Sequence, residues 1–327
     1  MERLASGSRF DTYGSRIVCW QFMSRKVIVQ APAKINLHLR ILGKRPDGFH
    51  NLSSLFQAVS LGDTLVVQTD SDEGVRLFGD FDCPSEENTI VRAAEAFRRK
   101  TGQTVGVRVW VTKRVPAGAG LGGGSSDAAA MLLALNHLYG GSLSSDELAA
   151  VGAVVGSDVP FFLKGTCAIV SGRGEIVEPI GGRTDFFVTL LFPGFTTHTA
   201  AAYAAVDAVR RSGEGMSRSL DAANREDFWI REEYEKPPRS WNFRNDFYEA
   251  LVRESPELGQ AYGALKRTGA EFVSLTGSGS AFFGIFRSRV AAEQAAETLN
   301  GRKGRLGLWT SDVAVPLARM PSPRLEY

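Results

Sequence analysis

From Lys26 to Leu42 the chain reads KVIVQAPAKINLHLRIL, and after Pro32 it alternates: Ile35, Leu37, Leu39 and Ile41 fall on one side, Lys34, Asn36, His38 and Arg40 on the other. Successive side chains of a strand point to opposite faces, so the segment predicts a half-buried strand with a polar face. KRPDGFH then turns the chain at Pro46 and Asp47-Gly48. LGDTLVVQT and GVRLFG predict further strands, and NTIVRAAEAFRRKTG an amphipathic helix stopped by Gly102. VGVRVWVTKRV alternates again and leads into the stretch VPAGAGLGGGSSDAAA.

Beyond that stretch, SSDAAAMLLALNHLYGG predicts a helix with a Ser or Asp as its cap, and SSDELAAVGAVVG predicts a second. TCAIVSGRGEIVEPI reads as a hairpin around Gly172-Arg173-Gly174, and FFVTLLFPG as a buried strand. FYEALVRES and LGQAYGALKRTG predict helices, EFVSLTGSGSAFFGIF two strands around a second glycine turn, AAEQAAETLN a helix, and Leu306 to Val315 a last strand. The pattern changes near Arg183, which suggests an N-terminal domain over residues 26–183 and a C-terminal domain over 184–327. Residues 1–25 read as a disordered extension ahead of the first strand. The charged stretch 210–244, with Trp229, Tyr234 and Trp241 in it, reads as a solvated, partly ordered insertion.

Composition narrows the classes. Thirty-eight Lys+Arg against thirty-six Asp+Glu leave a formal charge of +2. That balance provides no field for gripping nucleic acid or an anionic membrane. No apolar run approaches the roughly 20 residues that span a bilayer. The three cysteines are far apart and the four histidines form no metal motif, which points to a cytoplasmic chain without structural zinc.

The glycine stretch carries the chemistry. Glycine loses more backbone freedom on folding than any other residue. A run of it directly before a helix therefore needs a reason. G-x-x-x-x-G-K-[ST] fails, since no Lys-Ser or Lys-Thr follows. Gly118, Gly120 and Gly123 satisfy G-x-G-x-x-G, but a helix follows where the dinucleotide fold requires a strand. A tight packing point would explain the glycines without a ligand. A better fit is an anion cradle, in which unobstructed N–H groups and the positive end of a helix hold a polyphosphate.

PAGAGLGGGSSDAA resembles the central motif of the GHMP kinases, and APAKINLHLRILGKRPDGFH and LTGSGSAFFGIF match that superfamily in the same order. Within it, APAKINL, RPDGFH, ENTIVRAAEAF, GSDVPFFL and RNDFYEAL resemble the 4-diphosphocytidyl-2-C-methyl-D-erythritol kinase family, over roughly Val27 to Val315. The resemblance implies a two-domain α+β GHMP kinase fold, with a ribosomal-protein-like N-terminal α/β domain and a ferredoxin-like C-terminal domain. It also implies ATP and Mg2+ as cofactors and a small-molecule alcohol bearing cytidine diphosphate as substrate. A GHMP kinase for homoserine or a mevalonate derivative is the alternative. A nucleotide-binding regulator without catalysis is a rival of another class, and it would lack the lysine–aspartate pair described next.

Asp158, two residues before Pro160, is a natural helix N-cap on local grounds. The resemblance makes it the catalytic base, paired with Lys34, which would otherwise pass as a solvated strand lysine. Pro116, Ala117, Gly118, Ala119, Gly120, Leu121, Gly122, Gly123, Gly124, Ser125 and Ser126 would wrap the ATP phosphates, with Ser126 the candidate for Mg2+. Asn88, Ile90 and Lys113 match positions lining the adenine pocket. Asn36, Phe49, His50, Thr199, Tyr203 and Asp246 match substrate positions. Phe49 and Tyr203 would sandwich the cytosine while His50 bonds its edge. Phe49 stands where the family usually has Tyr, so the aromatic face is kept and the hydroxyl is not.

Overall fold

The computed structural model describes residues 25–211, 221–304 and 307–326, with side chains of residues 221–225 left aside. Residues 1–24 of the expected extension and 212–220 of the expected insertion lie outside the described residues.

Two sheets organise the chain. The first contains β1 (Lys26–Lys44), β2 (His50–Thr69), β3 (Gly74–Phe78), β4 (Gly106–Thr112), β5 (Cys167–Gly172) and β6 (Ile176–Pro179). β1 and β2 form its long antiparallel axis; β4 and then β3 extend one end of β2, while β5 and β6 extend the other. Helices α1 (Thr89–Thr101), α2 (Gly123–Leu138), α3 (Ser145–Val155) and α4 (Val159–Lys164) pack on it around Phe97, Met131, Leu135 and Phe161.

The second sheet is antiparallel, ordered β10–β7–β9–β8: β7 (Phe187–Phe192), β8 (Phe272–Leu275), β9 (Phe282–Phe286) and β10 (Thr310–Ala314). With α5 (Thr199–Arg211), α6 (Asp221–Glu235), α7 (Asp246–Glu254) and α8 (Pro256–Lys266) between β7 and β8, and α9 (Arg289–Leu299) before β10, this is the ferredoxin-like arrangement. A final strand, β11 (Arg324–Glu326), returns to pair with the start of β1.

Local signals account for several ends. Asn88 caps α1 by accepting from the Ile90 N–H, and Gly102 closes it with φ +70°. Ser144 and Glu147 form a capping box on α3. The cap expected for α2 is different: Gly122 is its N-cap at φ +72° with no side-chain bond, and Ser125, Ser126 and Asp127 lie inside the first turn.

Two expectations of solvation are corrected. The polar side of β1 is buried: Lys34, Asn36, His38 and Arg40 are all under a tenth exposed. The charged stretch near 210–244 contributes Ile230, Tyr234, Trp241 and Phe243 to the core between the two sheets. Its carboxylates bury because they are paired. Glu226 meets His38 and Arg40, and Glu233 meets Lys236 and Asn242.

Candidate active site

The site begins with an irregularity in the pairing of β1 with β2. Val27, Val29 and Ala31 pack towards the helices, but beyond a register shift between Pro32 and Ala33 it is Ala33, Ile35 and Leu37 that pack towards the second sheet. The shift turns the strand over, and bulges of this kind re-aim side chains. Lys34 and Asn36 are thereby delivered to the helix side, where Lys34 Nζ stands 4.7 Å from the centre of the Phe56 ring.

Lys34 Nζ donates to Asn36 Oδ1 at 2.6 Å and to the Gly120 carbonyl at 2.9 Å, and lies 3.8 Å from Asp158 Oδ2. The last distance is an ion pair rather than a hydrogen bond. Burial holds Lys34 below the usual lysine range, and the Asp158 carboxylate opposes that shift. Asp158 makes no capping bond to α4, so the local expectation of a side-chain cap is not met. Its carboxyl group faces the β5–β6 hairpin instead, where a Cβ on Gly174 would stand 3.4 Å from Oδ1.

The glycines divide into two sets. Gly118, Gly120 and Gly122 have φ between 65° and 78°, the left-handed region that suits glycine. A Cβ on Gly120 would overlap the Thr276 carbonyl oxygen, and one on Gly122 would meet the Lys34 stem at 3.1 Å. These glycines are required for packing against the second glycine turn, Thr276–Ser280, and against Lys34. Gly124 is different: a Cβ there would make only ordinary contact, 3.5 Å from Thr89 Oγ1. The first i→i−4 bond of α2 runs from the Ser126 N–H to the Gly122 carbonyl. The N–H groups of Gly123, Gly124 and Ser125 therefore have no intrahelical acceptor. Ser125 Oγ lies near Gly156 of the loop that carries Asp158. Pro116, Ala117, Ala119 and Leu121 complete the arch, the latter two buried.

Asn36 is engaged within the protein. Its Oδ1 accepts from Lys34 Nζ, Thr276 Oγ1 and the Gly277 N–H, and its Nδ2 donates to Ser54 Oγ. It ties the lysine to the second glycine turn. Thr276 and Gly277 escaped sequence reasoning as partners of Asn36, since nothing in the sequence links positions 240 residues apart.

Asn88, Ile90 and Lys113 flank the start of α2. Thr89 Oγ1 donates to the Gly124 carbonyl, and Lys113 Nζ bridges Asp63 and Asp127. The Ile90 side chain is sealed in the first core, and its N–H is taken by Asn88. Burial pushes Asp127 up to about 7 against the pull of Lys113. Asp63 Oδ1 accepts the N–H groups of Arg114 and Val115, anchoring the entry to the glycine loop.

A cleft of about 430 Å³ opens beside Asp158, walled by Phe49, His50, Arg173, Thr199, Tyr203 and Asp207. Helical spacing explains one wall, because Thr199, Tyr203 and Asp207 are four residues apart on α5. Thr199 Oγ1 hydrogen-bonds Ser278 Oγ at 3.0 Å, joining that wall to the second glycine turn. Burial pushes the Tyr203 hydroxyl up to about 12, and the Asp158 charge adds to the shift, so cleft and ion pair are neighbours. The expected sandwich takes another form: His50 stacks on Tyr203, with ring centres 4.7 Å apart, while Phe49 is half exposed under Arg173. Asp246 is not brought here. It accepts the Ile41 N–H and faces Arg40 and Arg210 in a separate cleft near α7.

Mg2+ has one fitting feature. Ser126 Oγ is buried at the start of α2 without a hydrogen-bond partner. No cluster of three or more His, Cys, Asp or Glu side chains able to hold a metal occurs among the described residues. A cation held largely by nucleotide phosphates needs no such cluster.

Residues 88–166 match the GHMP kinases N-terminal domain, and residues 238–305 match the GHMP kinases C-terminal domain. The 4-diphosphocytidyl-2-C-methyl-D-erythritol kinase of Pseudomonas syringae pv. syringae is 37% identical over 282 residues, covering 84% of this chain and 92% of its own. The Thermotoga petrophila enzyme of the same name is 41% identical over 256 residues, covering 78% of this chain and 90% of its own. A crystal structure of 4-(cytidine 5'-diphospho)-2C-methyl-D-erythritol kinase superposes with a TM-score of 0.70 at 37% identity, covering 89% of this chain and all of that one. Homoserine kinase from Cytophaga hutchinsonii shares the fold at 19% identity, with a TM-score of 0.67. Fold, ion pair and sequence relationship converge: the chain is a kinase that belongs to the 4-diphosphocytidyl-2-C-methyl-D-erythritol kinase family of the GHMP kinases.

Proposed function

We propose that this protein transfers the γ-phosphoryl group of ATP to the 2-hydroxyl of 4-diphosphocytidyl-2-C-methyl-D-erythritol, a step of isoprenoid precursor synthesis, in the cytoplasm. The observation that carries the reading is the Lys34–Asp158 pair, 3.8 Å apart, set between the start of α2 and the aromatic cleft. The arch Pro116–Ser126 and the free amides of Gly123, Gly124 and Ser125 hold the phosphates, and the α2 terminus favours their charge. Asn88 and Lys113 border the nucleotide on its other side. Ser126 would hold Mg2+, which supplies charge neutralisation at the phosphates when bound.

Transfer is direct. The substrate oxygen bonds to the γ-phosphorus, the bond to the β-phosphate bridging oxygen breaks with its electron pair leaving on ADP, and the hydroxyl proton passes to Asp158. Two of the three Lys34 N–H bonds are fixed by Asn36 and Gly120, leaving the third for the hydroxyl between ammonium and carboxylate. The Lys34 ammonium faces the Asp158 carboxylate that would take the proton. Phe49, His50 and Tyr203 receive the base, and Thr199 borders the same cleft; a substrate without a base has no use for this wall. Asp246 is assigned to the fold.

The test is a panel: the protein with ATP and Mg2+ against the cytidyl conjugate, homoserine and phosphomevalonate, read as ADP release. Turnover confined to the cytidyl conjugate is expected. Preference for either alcohol lacking a base overturns the substrate assignment.

A further inference from the structure

Asp207 lies outside the stretches that carry the family resemblance, yet it lines the aromatic cleft. It sits one helical turn beyond Tyr203 on α5, on the same face. Its Oδ1 stands 2.8 Å from His50 Nε2, and its Oδ2 stands 3.4 Å from Lys44 Nζ. Burial pushes the Asp207 carboxyl up, but the His50 bond and the Lys44 charge outweigh it and hold the group below its ordinary value. An ionised carboxylate can only accept, so Nε2 must carry a hydrogen. In the neutral ring that leaves Nδ1 with a lone pair. Nδ1 has no hydrogen-bond partner among the described residues. The ring lies flat against Tyr203, tilted by 13°, so stacking and the Asp207 bond together fix both its plane and its rotation.

A base edge meeting an acceptor must offer a donor. Cytosine has an exocyclic amino group where uracil has a carbonyl oxygen, so one would bond His50 Nδ1 and the other would face it lone pair to lone pair. We propose that Asp207 is a positioning residue that locks His50 in the Nε2–H tautomer, presents Nδ1 as an acceptor, and so makes the cleft choose an amino-bearing pyrimidine over its carbonyl analogue. This inference rests on the functional reading above, in which the cleft takes the base.

The experiment compares the cytidine and uridine diphosphate conjugates of the same alcohol in wild type, Asp207→Leu and Asp207→Asn. Ring nitrogen NMR shifts of His50 are recorded for each. Wild type should favour the cytidine conjugate by roughly ten- to a hundred-fold in kcat/KM, the scale of one lost hydrogen bond with an unpaired partner. Asp207→Leu should lose most of that preference through a higher KM for the cytidine conjugate, with the KM for ATP unchanged. Asp207→Asn keeps an acceptor oxygen and should retain most of it. The His50 shifts should report Nε2–H in wild type and a tautomer mixture in the Leu variant. Equal use of both conjugates by wild type, retained preference in a folded Leu variant, or an Nδ1–H ring would each overturn the proposal. Should the Leu variant fail to fold, the Asn variant and the wild-type tautomer still decide. Failure of wild type to phosphorylate either conjugate would instead sink the functional reading, while the NMR result would still test the tautomer.

Discussion

Gly120 packs against Thr276 so closely that a single added methyl group would overlap the threonine carbonyl oxygen. The contact is reciprocal, because a Cβ on Gly277 would stand 2.8 Å from the Gly120 oxygen. Two glycine turns from distant parts of the chain thus interlock backbone to backbone, and the Gly120 carbonyl accepts from both Lys34 Nζ and Thr276 Oγ1. Gly120→Ala should separate the turns. With φ at +78° and no room, the expected cost is about 1–3 kcal/mol or more, read as a lowered urea midpoint, together with a raised KM for ATP. Gly124→Ala, in the first turn of α2 with ordinary contacts, should leave the urea midpoint unchanged or raise it. Equal destabilisation by both would show that the interlock is not what the glycines serve.

Asp127 gives a pH signature. In the unfolded chain its carboxyl titrates near 3.8, whereas in the fold burial raises it to about 7. Between those values the folded state binds more protons, so this group makes stability fall as pH rises from about 4 to about 7 and adds no further change above. Asp127→Asn removes that contribution. The difference in Tm between wild type and variant should therefore shift in the variant's favour across that window and level off beyond it. A flat difference would mean that Lys113 and its neighbours compensate fully for burial.

Tyr234 tests whether the charged stretch belongs to the core. Its hydroxyl donates to Gln57 Oε1 at 3.0 Å and accepts the Arg183 N–H at 2.8 Å, and the residue is 1% exposed. Tyr234→Phe strands both partners, at an expected cost of about 1–3 kcal/mol in urea unfolding. No measurable change would return α6 to the status of a solvated insertion.

What could be read without coordinates depended on whether a signal was local. α1 was legible because Asn88 and Gly102 punctuate it, and the C-terminal strands because their glycine turns do. β2 was legible only from Leu61 onward. NLSSLFQAVS has no clean alternation because Ser53, Ser54 and Gln57 are as buried as Leu55. On β1 the alternation correctly gave two faces but not what covered the polar one. A lysine facing water and a lysine facing Asn36, Gly120 and Asp158 have the same neighbours in sequence. α6 misled for the same reason, since Glu226 and Glu233 are buried only by virtue of partners far along the chain. The meeting of Lys34 with Asp158 was available through family resemblance alone. Asp207, four residues after Tyr203, carried a helical-spacing signal that went unused.

The central claim is that Asp158 takes the proton of the acceptor hydroxyl while Lys34 and the α2 terminus hold their partners in place. Asp158→Asn is nearly isosteric and removes no capping bond. Calorimetric titration of ATP combined with single-turnover phosphoryl transfer tests the claim most directly. The expected result is unchanged ATP affinity with transfer slowed by about two orders of magnitude or more. Transfer near the wild-type rate, with the same affinity, would contradict it.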